Sequence, residues 1–124
     1  MPIAILSTNR PIADAHEFAS LFTKKLGAIL DKAPESIYVK IEDKATLARG
    51  GEHDDRVIYL HIKAVNVFNP ESNVRFSAEI TQYLVESIQA SPDKTIIEFT
   101  PLDPNFVGKQ FTTIAESLKS SQST

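Results

Sequence analysis

The chain has 124 residues, 42% of them hydrophobic, and 13 Lys and Arg stand against 16 Asp and Glu for a formal net charge of -3. A single domain follows, of a size that removes roughly two-thirds of its unfolded surface from water, and neither sign of charge dominates enough to draw a nucleic acid or an anionic membrane surface. With no cysteine, disulfides, thiolate metal sites and thiol nucleophiles are excluded.

Residues 2–7 form a short apolar run ended by Thr8-Asn9-Arg10-Pro11, a buried strand followed by turn chemistry. No basic segment precedes the run and no stretch near 20 apolar residues occurs, so neither a secretory signal nor membrane insertion is expected and synthesis is placed in the cytosol. Over residues 13–30, Phe18, Leu21, Phe22, Leu26, Ile29 and Leu30 recur at helical spacing, a stripe along one helix face. Lys32-Ala33-Pro34 stops this helix, since proline biases the residue before it toward extended conformations, and residues 36–42 alternate as a strand.

The β-α-β unit then recurs at an offset of about 58 residues. Residues 57–67 read as a strand and 69–90 as a helix, with Phe18, Phe22, Leu26 and Leu30 matched by Phe76, Ile80, Leu84 and Ile88. Pro34-Glu35 is matched by Pro92-Asp93, and the strand at 37–41 by the one at 95–99. Two helices with one apolar face each pack most economically side by side on one face of a four-stranded sheet. The strand residues Ile3, Ile5, Ile58, Leu60, Ile62, Val39, Ile41, Ile96 and Ile97 outnumber what two helices cover, so the second face is expected to be apolar and buried by association.

Between the units, residues 43–55 hold Gly50-Gly51 without the spacing of a phosphate-binding loop and read as a flexible connection. The end, residues 117–124, is small and polar and reads as a flexible tail, which puts the domain at 1–116. His16, His53 and His61 lie on a helix, a loop and a strand with no paired spacing, and the acidic run around 42–55 lacks the oxygen-ligand spacing of a calcium loop, so neither a metal nor a cofactor is expected. No Gly-x-Ser-x-Gly elbow supports a serine nucleophile. What remains is Pro2. Removal of Met1 would free a secondary amine on an apolar strand, where burial lowers the pKa toward the range of a usable base.

Met1-Pro2, Thr8-Asn9-x-Pro11, Lys32-x-Pro34-Glu35, Gly50-Gly51, Asn69-Pro70-Glu71, Ser91-Pro92-Asp93-Lys94 and Val107-Gly108, in that order and spacing, resemble the macrophage migration inhibitory factor and D-dopachrome tautomerase family over about residues 1–115. Phe99-x-Pro101-Leu102 and Val107-Gly108-Lys109 look more like the D-dopachrome tautomerase branch. The resemblance implies an α+β fold, a pseudo-twofold βαββαβ subunit with two antiparallel helices on a four-stranded mixed sheet, assembled as a homotrimer. It also implies a keto-enol tautomerase of D-dopachrome or phenylpyruvate type, accompanied in the former case by decarboxylation. Pro2 would be the catalytic base in a pocket between subunits.

Lys32 would pair with the carboxylate of a small aromatic keto or enol acid, a role that its compact ammonium suits; a charge favouring the helix C-terminus is the structural alternative. Ala64 and Val65 would supply backbone and apolar contacts. Phe99, Asp103 and Lys109 stand where the namesake has a tyrosine, an asparagine and a tryptophan, and Asp103 beside a substrate carboxylate would need Lys109 to neutralise it. The family also contains signalling proteins. A cytokine-like or regulatory trimer with a weak pocket, exported without a signal peptide to a cell-surface receptor, is the alternative that the resemblance carries.

Overall fold

The computed structural model describes residues 1–122. Its elements are β1 (Ile3–Thr8), α1 (Ala15–Leu30), β2 (Tyr38–Glu42), β3 (Ile58–Ala64), α2 (Pro70–Ile88), β4 (Thr95–Pro101), the two-residue strands β5 (Gly108–Lys109) and β6 (Thr112–Thr113), and α3 (Ile114–Gln122). The main sheet runs β2-β1-β3-β4. Its outer pairs, β1 with β2 and β3 with β4, are parallel, and the central pair β1 with β3 is antiparallel. Each parallel pair is joined by a crossover helix, as parallel neighbours require, so the expected βαββαβ subunit with a mixed sheet is what forms.

Both crossover helices start and stop by local chemistry. The Asp14 side chain accepts from Glu17 N–H at 3.0 Å ahead of α1, and Asn69 accepts from Ser72 N–H at 2.9 Å ahead of α2, with Pro70 in the first turn. These bonds satisfy amides that the helix leaves open. Asp31 and Gln89 close the helices in the left-handed region, at φ 56° and 57°. Phe18, Phe22, Leu26 and Leu30 on α1 and Phe76, Ile80, Leu84 and Ile88 on α2 are all buried, whereas Leu21, at the margin of the stripe, is half exposed.

The duplication carries a slip that periodicity alone conceals. Tyr38 corresponds to Ile96 at the 58-residue offset, but Tyr38 pairs with Ile3 and Ile96 pairs with Tyr59, so the first strands are related by 56. The two-residue difference preserves side-chain parity, because successive strand residues point to opposite faces. Ala4, Leu6 and Thr8 therefore match Leu60, Ile62 and Ala64, and all six are fully buried.

That parity corrects the expectation for the second face. Ile58, Leu60, Ile62, Val39, Ile41 and Ile97 all belong to the helix-side core; the list of apolar residues had merged two parities. On the uncovered face Ile3, Ile5 and Ile96 stand among Lys40, Glu42, His61, Lys63 and Glu98, where Tyr59 Oη donates to Glu98 at 2.5 Å and His61 Nε2 lies 2.8 Å from Thr100 Oγ1. The face is mixed, not apolar.

The connection at 43–55 is tied at both ends. The Asn9 amide donates to the carbonyls of His53 and Asp55, each at 3.0 Å, and its oxygen accepts from Val57 N–H at 2.8 Å; Asp43 accepts from Ile12 N–H at 2.9 Å. Of the residues expected to form the polar tail, 117–122 lie in α3, which runs to Gln122, and residues 123 and 124 lie outside the described residues. Thr113 Oγ1 accepts from Glu116 N–H at 3.2 Å, and Lys119 pairs with Glu116 at 3.2 Å. This N-terminal cap and i,i+3 pair offset part of the ordering cost that composition alone implied.

A Cβ on Gly27 would stand 2.7 Å from the Lys32 carbonyl oxygen, and that contact is backbone, which cannot turn aside. Gly27→Ala is expected to lower stability by about 1–3 kcal/mol, read as a lower urea midpoint at unchanged m-value.

Candidate active site

Proline suits the first residue of a strand because it brings no N–H to the ladder. Pro2 is almost wholly buried, and its carbonyl accepts from Tyr38 N–H at 3.0 Å, which ties the chain start to β2. Continuing the central register one pair beyond Ile3 and Lys63 brings Pro2 beside Ala64.

Lys32 follows the left-handed Asp31, and its N–H returns to the Gly27 carbonyl at 2.9 Å. The side chain of Gly27 is missing where the Lys32 backbone crosses, so α1 can end this close to the strands. Lys109 arrives on β5, from the other end of the chain. The amino group of Met1 protonates below its ordinary value of 8.0, chiefly through burial, then through the charge of Lys32 and then that of Lys109. No carboxylate is among the groups that shift it, and neither lysine is ion-paired among the described residues. Three positive groups held together without an acid favour the neutral amine and attract an anion.

Beside Met1 lies a cavity of about 200 Å³ lined by Met1, Ser36, Lys109, Gln110, Ile114, Ser117 and Leu118. The sequence singled out Lys109 in this group and missed the other side chains; the legible signal was Thr113-x-x-Glu116, a helix start, ahead of Leu118. The turn between β5 and β6 is strained, with Gln110 at φ 52° and Phe111 at φ 70°, a region where side chains other than glycine, asparagine or aspartate are uncommon.

The other expected site residues divide. Ala64 and Val65 are buried at the end of β3 next to the chain start, and Ala64 O accepts from Leu102 N–H at 2.8 Å. Phe99 stands in the row Phe99, Ile62, Ala4, two strands away from β1. Its ring packs against Phe68 and Phe76, with centroids 5.2 and 6.3 Å away. Asp103 caps a 3-10 turn, accepting from the N–H and the side-chain amide of Asn105, each at 2.9 Å. Within one subunit the fold brings Pro2, Lys32, Lys109, Ala64 and Val65 to the chain start and gives Phe99 and Asp103 local partners instead.

The family model described as Macrophage migration inhibitory factor (MIF) matches residues 1–115. A MIF-like protein, mif-2, of Caenorhabditis elegans is 33% identical over 120 residues, covering 96% of this chain and 99% of its own. A D-dopachrome decarboxylase of Xenopus tropicalis is 28% identical over 113 residues, covering 90% and 96%. Among solved structures, the macrophage migration inhibitory factor of Trichinella spiralis superposes with a TM-score of 0.83 at 25% identity, over 90% of this chain and 98% of its own.

The depressed amine gives a pH dependence of known sign. The unfolded chain holds the proton up to pH 8.0 while the folded chain releases it earlier, so in the form retaining Met1 stability rises as pH climbs from the folded value toward 8.0. Lys32→Ala and Lys109→Ala should each move the amine titration upward by removing a like charge, as followed by NMR of the isotopically labelled terminus; an unmoved titration in both variants would contradict the convergence.

Proposed function

The chain belongs to the macrophage migration inhibitory factor family, and on that premise we propose that it is a keto-enol tautomerase whose base is the amine of Pro2 after Met1 is removed. Members of the family are tautomerases and typically homotrimers. The observation that carries the reading for this chain is the buried Pro2 at the head of β1, with Lys32 and Lys109 close enough to depress the amine of Met1 that precedes it. A neutral secondary amine takes a proton from the carbon next to a carbonyl and the electron pair moves to oxygen; the ammonium then returns the proton to that oxygen, and the net change is isomerisation. Lys32 holds the substrate carboxylate and Lys109 supplies a second positive charge.

The substrate is a small aromatic keto or enol acid of phenylpyruvate or D-dopachrome type, with loss of carbon dioxide in the second case. In keeping with the typical assembly of the family, the pocket lies in a homotrimer in which a neighbouring subunit completes it.

Intact mass is expected to lack one methionine, and sedimentation to give three subunits of 13.7 kDa each. Pro2→Gly should reduce kcat/KM for phenylpyruvate by about 10²–10⁴-fold, and Lys32→Ala should act mainly through KM. Full activity of Pro2→Gly would sink the proline mechanism. An inert wild type that binds a receptor ectodomain would favour a signalling protein.

A further inference from the structure

We infer that the cavity between the start of α1 and the end of α2 is a second ligand site, built for a free α-amino acid with an aromatic or branched aliphatic side chain. The inference does not rest on the tautomerase reading, because the site lies on the helix-covered side of the sheet and at the opposite end of β1 from Pro2.

From Pro2 to Thr8 the strand advances about 20 Å, and the chain then passes through residues 9–14 into α1. There a cavity of about 370 Å³ opens, within the roughly 300–1,000 Å³ of ordinary ligand sites. Its lining includes Asp14, Glu17, Phe18 and Leu21 at the start of α1, Tyr83 on α2, and Arg56. All of these groups come from one chain.

Both signs of charge and an apolar wall meet there. A guanidinium carries five N–H donors in a fixed fork. Arg56 donates to the Thr8 hydroxyl at 3.1 Å and to the carbonyls of Arg10 and Pro11 at 3.2 and 2.9 Å, which leaves two donors without a protein acceptor among the described residues. A half-buried guanidinium held in this way is suited to a carboxylate. Asp14 Oδ1 is committed to the Glu17 N–H at 3.0 Å, but neither Asp14 nor Glu17 is ion-paired among the described residues, so both carboxylates can receive an ammonium. The rings of Phe18 and Tyr83 stack with centroids 6.4 Å apart, and Leu21 is half exposed on the same helix as Phe18.

A free α-amino acid presents all three complements in one small molecule: a carboxylate for Arg56, an ammonium for Asp14 and Glu17, and a side chain for Phe18, Leu21 and Tyr83. A simple organic anion meets the two acids as like charges, and a simple cation meets Arg56. A keto acid has the carboxylate without the ammonium, so this cavity and the chain start select different ligands.

The test follows amide NMR signals of the full chain during titration with L-phenylalanine. Saturable shifts are expected at Glu17, Phe18, Leu21 and Tyr83 and not at Ile3 or Lys32. L-phenylalanine amide, which lacks the carboxylate, and N-acetyl-L-phenylalanine, which lacks the ammonium, should each bind about tenfold more weakly, on the scale of a hydrogen bond to a charged group. The double variant Asp14→Asn, Glu17→Gln keeps the α1 cap, since asparagine caps a helix as well as aspartate. It should bind L-phenylalanine about tenfold more weakly and N-acetyl-L-phenylalanine unchanged. Arg56 also ties residues 8–11 together, so its role is read from the amide ligand and not from its replacement. Shifts that fail to saturate by about 10 mM ligand, shifts confined to the chain start, or equal binding of the three ligands would each overturn the inference.

Discussion

The antiparallel pairing of β1 with β3 is the constraint from which the rest of the subunit follows. Each of these strands has a parallel partner on its outer side, and each parallel partner can be reached only through a helix. Pairing the two inner strands therefore fixes the four-strand order and lays both helices on one face. It also sets parity: Ala4, Leu6 and Thr8 fall on the same side as Leu60, Ile62 and Ala64. A slip of one residue would exchange that buried set for Ile3, Ile5, Ser7, Tyr59, His61 and Lys63, so the register is held by the full burial energy of one sheet face.

The same pairing places the chain start in the interior. Pro2 is buried because β1 is a central strand, and a proline at that position leaves no ladder amide unsatisfied. Positive charge then accumulates around a terminus that cannot be fully hydrated. Lys32 reaches it because Gly27 lets the end of α1 close tightly, and Lys109 because a strained two-residue turn brings β5 back to the start. Burial and like charge both disfavour the ammonium form, so the two effects act in one direction on the Met1 amine, one residue ahead of the group proposed as base.

Elsewhere the charged residues take structural work. Lys94 pairs with Asp55 at 2.8 Å, Asp43 receives the Ile12 amide, and the Arg56 guanidinium donates to the Thr8 hydroxyl and to the carbonyls of Arg10 and Pro11. The acidic run around residues 42–55 is thus accounted for largely by the closing of the connection between the two units. Among the described residues, this leaves Lys32 and Lys109 near the chain start with no ion pair.

The sequence by itself determined the two helices, their stops and the duplication, because helical periodicity and Pro34 and Pro92 as stops are local properties; Asp14 and Asn69 lay inside the expected helices, and the structure makes them caps. It also marked Pro2 and Lys32 through a run of short motifs. Tertiary structure alone decided which apolar strand residues share a face, since parity becomes a face only when a partner strand is fixed. The same dependence explains the 56-residue offset of the first strands, the local packing of Phe99 and the capping role of Asp103. Composition read the end of the chain as a polar tail, and only folding could bring Ile114, Ser117 and Leu118 of α3 to the cavity at Met1, the first residue.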